Sequence, residues 1–255
     1  MANAPPIIFS NRRKAVRRKR AEIMGRRSAA DPFLFAHISA DIEDRLAFIR
    51  FEPETVLLDG FGSEQMRGVD WRQMPAFDST GLHDFDVPSN LLSASFDCVA
   101  SINSLGTVND LPGALIQMRE LLKPGGLAIA SFVGGASLAK LRRAMFEAEP
   151  ERPAARMHPL IDPRSCPGLL QRAGWTNPVV DSHMLTVRYS TFDRLVQDLR
   201  EQALGNVLAS PAPPLGRTAF QRAREAFMAM ADDDGKVSET FEIITLTGRR
   251  SPAGT

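Results

Sequence analysis

Few residues in this chain have side chains that could carry chemistry. Four histidines, His37, His83, His158 and His183, show no metal-ligand spacing such as H-x-x-x-H, so each reads as a surface or internally satisfied ring. Cys98 and Cys166 stand 68 positions apart, which makes neither a disulfide framework nor a metal-ligand pair. Both read as buried thiols in a reducing cytoplasm. Asp232-Asp233-Asp234-Gly235 lacks the alternating acids and distant Glu of a calcium loop and reads as a hairpin turn. Thr55 to Leu58 (TVLL) is a β-branched and aliphatic run ending in Asp59-Gly60-Phe61-Gly62, a buried strand running into a tight glycine turn.

The fifth feature is charge. The chain has 255 residues, 44% hydrophobic and 24% charged, with a net charge of +1. Residues 11–27 hold nine Lys and Arg against Glu22, so a segment at +8 is joined to a body at −7. Such a block can meet phosphates of nucleic acid or membrane, act as an Arg-rich targeting peptide, or dock on an acidic protein surface. No aromatic residue interleaves the charges, which disfavours nucleic acid. No apolar run of signal type follows the block, and the most apolar stretch, Leu127 to Val133, falls far short of the ~20 residues that span a bilayer.

The elements that must position these residues read as α/β. A helix with a thin apolar stripe spans the basic block. A second runs from about Asp31, as N-cap, to Phe48, with Leu34, Phe35, Ile38, Ile42 and Leu46 on one face. After the Thr55–Leu58 strand, Phe96 to Ile102 is another buried strand. Asp110 then caps a helix that Lys123-Pro124-Gly125-Gly126 ends, and Leu127 to Val133 is a third strand. Strand, helix, strand implies a right-handed parallel crossover. A helix over about Ser137–Ala148, a short one before Ala173-Gly174-Trp175, an extended Pro178–Tyr189 with Tyr189 half-buried, helices capped by Thr191 and Thr218, and a last strand Thr240–Thr247 complete the reading. Residues 1–50 form the basic helical segment and 51–255 the main domain, with a helical insertion over about 191–231.

The runs VNDLPGAL (Val108–Leu115), RELLKPGGL (Arg119–Leu127), GGASLAKLR (Gly134–Arg142), LLQRAGW (Leu169–Trp175), PVVD (Pro178–Asp181) and DGKVSETFEIITLTG (Asp234–Gly248) resemble one branch of the class I S-adenosylmethionine (SAM) methyltransferases. That branch holds the malonyl-carrier-protein methyltransferases of biotin synthesis and the complex I assembly factor that hydroxylates an arginine. The opening IIFSNRRKAVRRKRA is similar to the latter. The resemblance implies a Rossmann-like sheet, mostly parallel with an antiparallel last strand, and SAM as cofactor. It places Asp59, Gly60 and Gly62 at the glycine turn, and Asp84 (among Asp70, Asp78, Asp84 and Asp86) and Ser101 at the rim. It also puts His158-Pro159 in a loop near the substrate, and the basic opening against a protein partner.

The chain departs from the D-x-G-x-G-x-G pattern of that family. Its turn is one residue shorter before the first glycine, has no third glycine, and carries Glu64 where a neutral helix start faces the ligand's carboxylate. Only 36 residues separate Asp59 from Phe96, too few for the usual crossovers and strands, so the fold is expected to be reduced there, with the helix after the first strand lost. Gly106-Thr107 replace a His-Trp pair. The expectation is therefore a methyltransferase-family protein, related to complex I assembly factors, with weak or lost SAM binding. The alternative is a non-catalytic scaffold on a degenerate methyltransferase fold.

Overall fold

The computed structural model describes residues 6–25, 32–60, 93–151 and 153–252. Five strands form one sheet in the order β1-β2-β3-β5-β4: β1 Val56–Asp59, β2 Phe96–Ile102, β3 Leu122–Gly134, β4 Thr176–Tyr189 and β5 Val237–Arg249. Strands β1, β2 and β3 are parallel, β2 and β3 through the helix between them, and β5 runs antiparallel to both its neighbours. The seven α-helices of the described residues are α1 Asn11–Gly25, α2 Phe33–Phe48, α3 Leu111–Leu121, α4 Ala139–Ala148, α5 Cys166–Arg172, α6 Phe192–Glu201 and α7 Arg217–Met228. The pair α6 and α7 is the expected insertion between the last two strands.

Alternation along the strands divides the core into two layers. Cys98, Ala100, Ile102, Leu127, Ile129 and Ile243 face α2, α4, α6 and α7. Leu57, Val99, Ala128, Ala130, Phe132 and Leu246 face α3 and α5. Burial on both faces explains why the parallel strands read as unbroken apolar runs. Both thiols are buried and unpaired by disulfide, and burial pushes Cys98 up to about 12 and Cys166 up to about 11.

Several boundaries differ from expectation for local reasons. Asp110 accepts from Gly113 N and caps α3 as predicted, and the helix ends at Leu121, just before Lys123-Pro124-Gly125-Gly126. The strand starts at Leu122, paired with Phe96, and Gly125 N and Arg250 N exchange bonds with the facing carbonyls. Pro32, not Asp31, is the N-cap of α2, and Asp31 lies outside the described residues. The cap donor is satisfied at long range: Leu34 N donates to Gln202 Oε1 at 2.9 Å. Gly216 caps α7, leaving Thr218 inside its first turn, and Tyr189 is fully buried rather than half-buried. The expected loss of a helix after Gly62 concerns residues 61–92, outside the described residues.

The recurring motifs prove to be contacts between distant segments. Asn109 Oδ1 accepts from both Ile8 N and Phe9 N at 2.8 Å, and its amide donates to Phe9 O at 3.1 Å. VNDLP thus clasps the IIFS opening. Trp175 Nε1 donates to Leu115 O at 2.9 Å, while its ring packs on Gly248, where a Cβ would come within 2.5 Å of the indole.

Candidate functional site

In an open parallel sheet, ligands bind outside the carboxyl ends of the strands. Here those ends belong to β1, β2 and β3. Asp59 closes β1 and is completely buried. Ser101 Oγ donates to Asp59 Oδ2 at 3.0 Å, Ser104 Oγ donates to the same oxygen, and the two hydroxyls lie 2.7 Å apart. Ser101 is 1% exposed and therefore sits inside the protein, not at a rim. Gly60 has φ +107, and a Cβ there would fall 1.8 Å from Ile102 O. The absence of a side chain at Gly60 lets β1 lie against the end of β2.

These three residues can be tested against SAM. A SAM cradle needs glycine backbone open to the ligand and an acid free to accept from ribose hydroxyls. Gly60 instead spends its missing Cβ on strand β2, and Asp59 and Ser101 are bonded to each other. None of the three lines either of the two cavities described below. As placed, Gly60 and Ser101 serve the packing of the sheet end. Gly62 and Asp84, with Asp70, Asp78 and Asp86, lie outside the described residues.

A cavity of about 150 Å³ does open at the ends of β2 and β3, past Asn103 and Val133. Gly106 and Thr107 form its floor; Gly106 is pressed against β3, with a Cβ position 3.3 Å from Val133 O. A bulky pair at this place would need β3 to move. Lys14 and Arg18 of α1 roof the cavity, and Gln202 and Asn206 close one side. No Asp or Glu stands among the described residues that line it.

His158 also lines this cavity. Burial, with Arg142 nearby, pushes it down to about 4, so the ring is neutral near pH 7. Its Nδ1 is buried with no hydrogen-bond partner among the described residues, while Phe9 meets the ring edge-on at 5.8 Å. Arg156, beside it, is taken up by Glu149 through two bonds of 2.7 Å.

His37 and His183 do not line this cavity. They meet through Nε2 atoms 2.7 Å apart, one donating and the other accepting; burial, then His183, lowers His37. His83 lies outside the described residues. No group of three or more His, Cys, Asp or Glu able to hold a metal is found among the described residues.

Two residues that position the cavity wall went unrecognised in the sequence. Buried Glu239 accepts from Leu141 N at 2.7 Å and from Lys140 N, supplying the N-terminal cap of α4. Glu242 accepts from Ala136 N at 2.9 Å, and Ser137 Oγ accepts from Glu242 N at 2.7 Å. Together they clamp residues 134–138, where Leu138 adopts φ +59. A carboxylate at an inward-facing strand position was the available signal.

A second cavity, about 510 Å³, lies at the opposite end of the sheet between α2 and the start of β3, with Leu127, Ile129, Phe48 and Val179 in its walls. Its charged lining is Asp41, Asp44 and Arg45, and Arg45 is bonded to Asp41 and Asp181.

Comparison with known proteins fits this picture. A family model described as "Methyltransferase domain" matches residues 25–178. Human arginine-hydroxylase NDUFAF5, mitochondrial, is 34% identical over 159 residues, 60% of this chain and 46% of that protein. The malonyl-[acyl-carrier protein] O-methyltransferase of Halorhodospira halophila is 29% identical over 182 residues, 70% of this chain and 59% of its own. The chain thus spans about half the length of the curated relatives it matches first. The solved structure of a putative methyltransferase from Bacillus halodurans aligns at TM-score 0.48 and 13% identity, covering 82% of this chain and 98% of that one. No helix among the described residues is long and apolar enough to cross a membrane. With a family match over more than half its length and a sheet of this order, the chain belongs to the methyltransferase domain family, related to both the arginine hydroxylase and the malonyl-carrier methyltransferases.

Proposed function

We propose that this chain is a member of its family in which SAM is held weakly or not at all, and which serves as a ligand-binding or assembly protein related in role to the complex I assembly factors. The observation that supports this reading is the inward closure of Asp59 by Ser101 and Ser104, with Gly60 sealed against Ile102. Both hydroxyls hold Asp59 Oδ2 inside the protein, so this oxygen serves the end of the sheet. The buried, reduced thiols are in keeping with a cytoplasmic or other reducing compartment.

Catalysis in the 150 Å³ cavity is the second reading, favoured by the neutral, unpartnered Nδ1 of His158. Arginine hydroxylation, the activity named for the animal relatives, fits this cavity poorly. A guanidinium entering it would meet Lys14 and Arg18 and no carboxylate from the described lining.

Calorimetric titration of the full chain with SAM and with its demethylated product separates the readings. The first expects no heat of binding even at millimolar ligand. Binding tighter than about 100 μM, corresponding to roughly −5.5 kcal/mol and lost in Asp59→Ala, would overturn it.

A further inference from the structure

The helical repeat places Arg12, Val16, Lys19, Arg20 and Ile23 on one side of α1, opposite Lys14 and Ala21, its two buried residues. All five are exposed, Val16 at 59% and Ile23 at 42%. Just before the helix, Ile7 is 77% exposed. The aliphatic side chains on this element are thus turned outward although an inner face was available to bury them.

The charges are equally unresolved within the fold. Burial disfavours the charge of Arg17, and Arg13, Arg20 and Arg200 add like-charge repulsion. Lys19 reaches Glu22 at 4.0 Å, but Arg12, Arg17, Arg20 and Arg200 have no ion pair among the described residues. Among the described residues, no acid of the body pairs with Arg12, Arg17 or Arg20. The segment is held instead by backbone bonds just before the helix, Ser10 N to Val207 O and Ala209 N to Ile8 O, and by the Arg13 guanidinium, which donates to Asn206 O.

Clustered guanidiniums without counter-ions and β-branched side chains in water are both unfavourable, and one partner relieves both. A bilayer surface offers phosphates above hydrocarbon. Duplex DNA would satisfy the arginines yet leave Val16 and Ile23 wet, and the helix has no aromatic side chain on which single-stranded bases could stack. We propose that the outward side of α1 is a peripheral docking face for an anionic lipid bilayer, with its arginines against headgroup phosphates and Val16, Ile23 and Ile7 entering the interface. This holds whether or not SAM binds.

The test is flotation of the full chain with vesicles of phosphatidylcholine alone and of phosphatidylcholine with one-third phosphatidylglycerol, at low and high salt. Flotation is expected with the anionic vesicles only, and salt is expected to release it. Arg12→Ser with Arg20→Ser should weaken it about thirtyfold, from the contribution of each base near an anionic surface. Val16→Asn with Ile23→Asn should also weaken it several-fold while keeping the salt dependence. All four positions are exposed, so unchanged thermal melts will show that the variants fold. No flotation with anionic vesicles would overturn the proposal. So would binding that Val16→Asn with Ile23→Asn leaves untouched, with equal affinity for duplex DNA or polyglutamate, because charge alone would then be the determinant.

Discussion

Substituting Gly60 by Ala distinguishes a glycine kept for a cofactor from one kept for packing. The structure assigns it to packing: at φ +107 any L side chain is strained, and its Cβ would sit 1.8 Å from Ile102 O, which is backbone and cannot rotate away. Backbone strain of about 1–3 kcal/mol and overpacking of similar size sum to about 3–5 kcal/mol. That is a large share of the ~5–15 kcal/mol that holds a typical domain together. For a chain of this size it lowers the melting temperature by about 10 °C, and urea denaturation without any ligand should show a correspondingly lower midpoint. Gly168→Ala is the matched control: it lies exposed in α5 with nothing within 4 Å of a Cβ, so it should hold or gain about 0.5–1 kcal/mol. If Gly60→Ala melts within about 2 °C of the parent but abolishes SAM binding, the reasoning about this turn is refuted.

Three further outcomes can be measured on the same protein. His158 titrates at about 4 in the folded chain, below the ordinary imidazole value, so the unfolded state binds more protons and stability falls as pH drops from about 6.5 towards 4; the loss is of order 3 kcal/mol, and denaturation as a function of pH should show a flatter acid limb in His158→Gln. Glu239→Ala removes the acceptor for Leu141 N and Lys140 N and should cost about 1–3 kcal/mol, with faster amide exchange confined to the first turn of α4. Gln202→Ala should cost about 1 kcal/mol, as loss of a helix cap does, and unchanged melting would mean that water replaces the bond to Leu34 N.

Periodicity made most of this fold legible. The apolar stripe of α2, the strand runs and the Asp110 cap follow from rules that act over a few residues, and they appear where those rules place them. What escaped was set by partners far along the chain. Lys123 to Gly126 read as a turn between helix and strand, yet β3 already starts at Leu122, with Gly125 at φ +81 and Arg250, from far along the chain, bonded to both glycines. Thr218 is a good cap by type, but Gly216 already occupies the turn. The site divided in the same way. The loop of His158 was identifiable by its resemblance, and the structure brings it to the cavity. The commitments of Gly60 to Ile102 and Asp59 to Ser104 link strands 42 to 45 residues apart, and one sequence cannot reveal them.

The strand order β1-β2-β3-β5-β4 has a consequence for how the chain is made. The strand that joins the two parts of the sheet is the one synthesised last. Until residues 237–249 leave the ribosome, β3 ends the growing sheet with an unpaired edge and β4 has no neighbour on which to form. At about 5–20 residues per second, some six to twenty-five seconds pass between emergence of β3 and arrival of its partner. Throughout that interval the nascent chain carries an open apolar edge and is exposed to chaperones and to aggregation. Proteolysis that removes only the final strand would therefore release β4 as well, and with it the scaffold under α6 and α7.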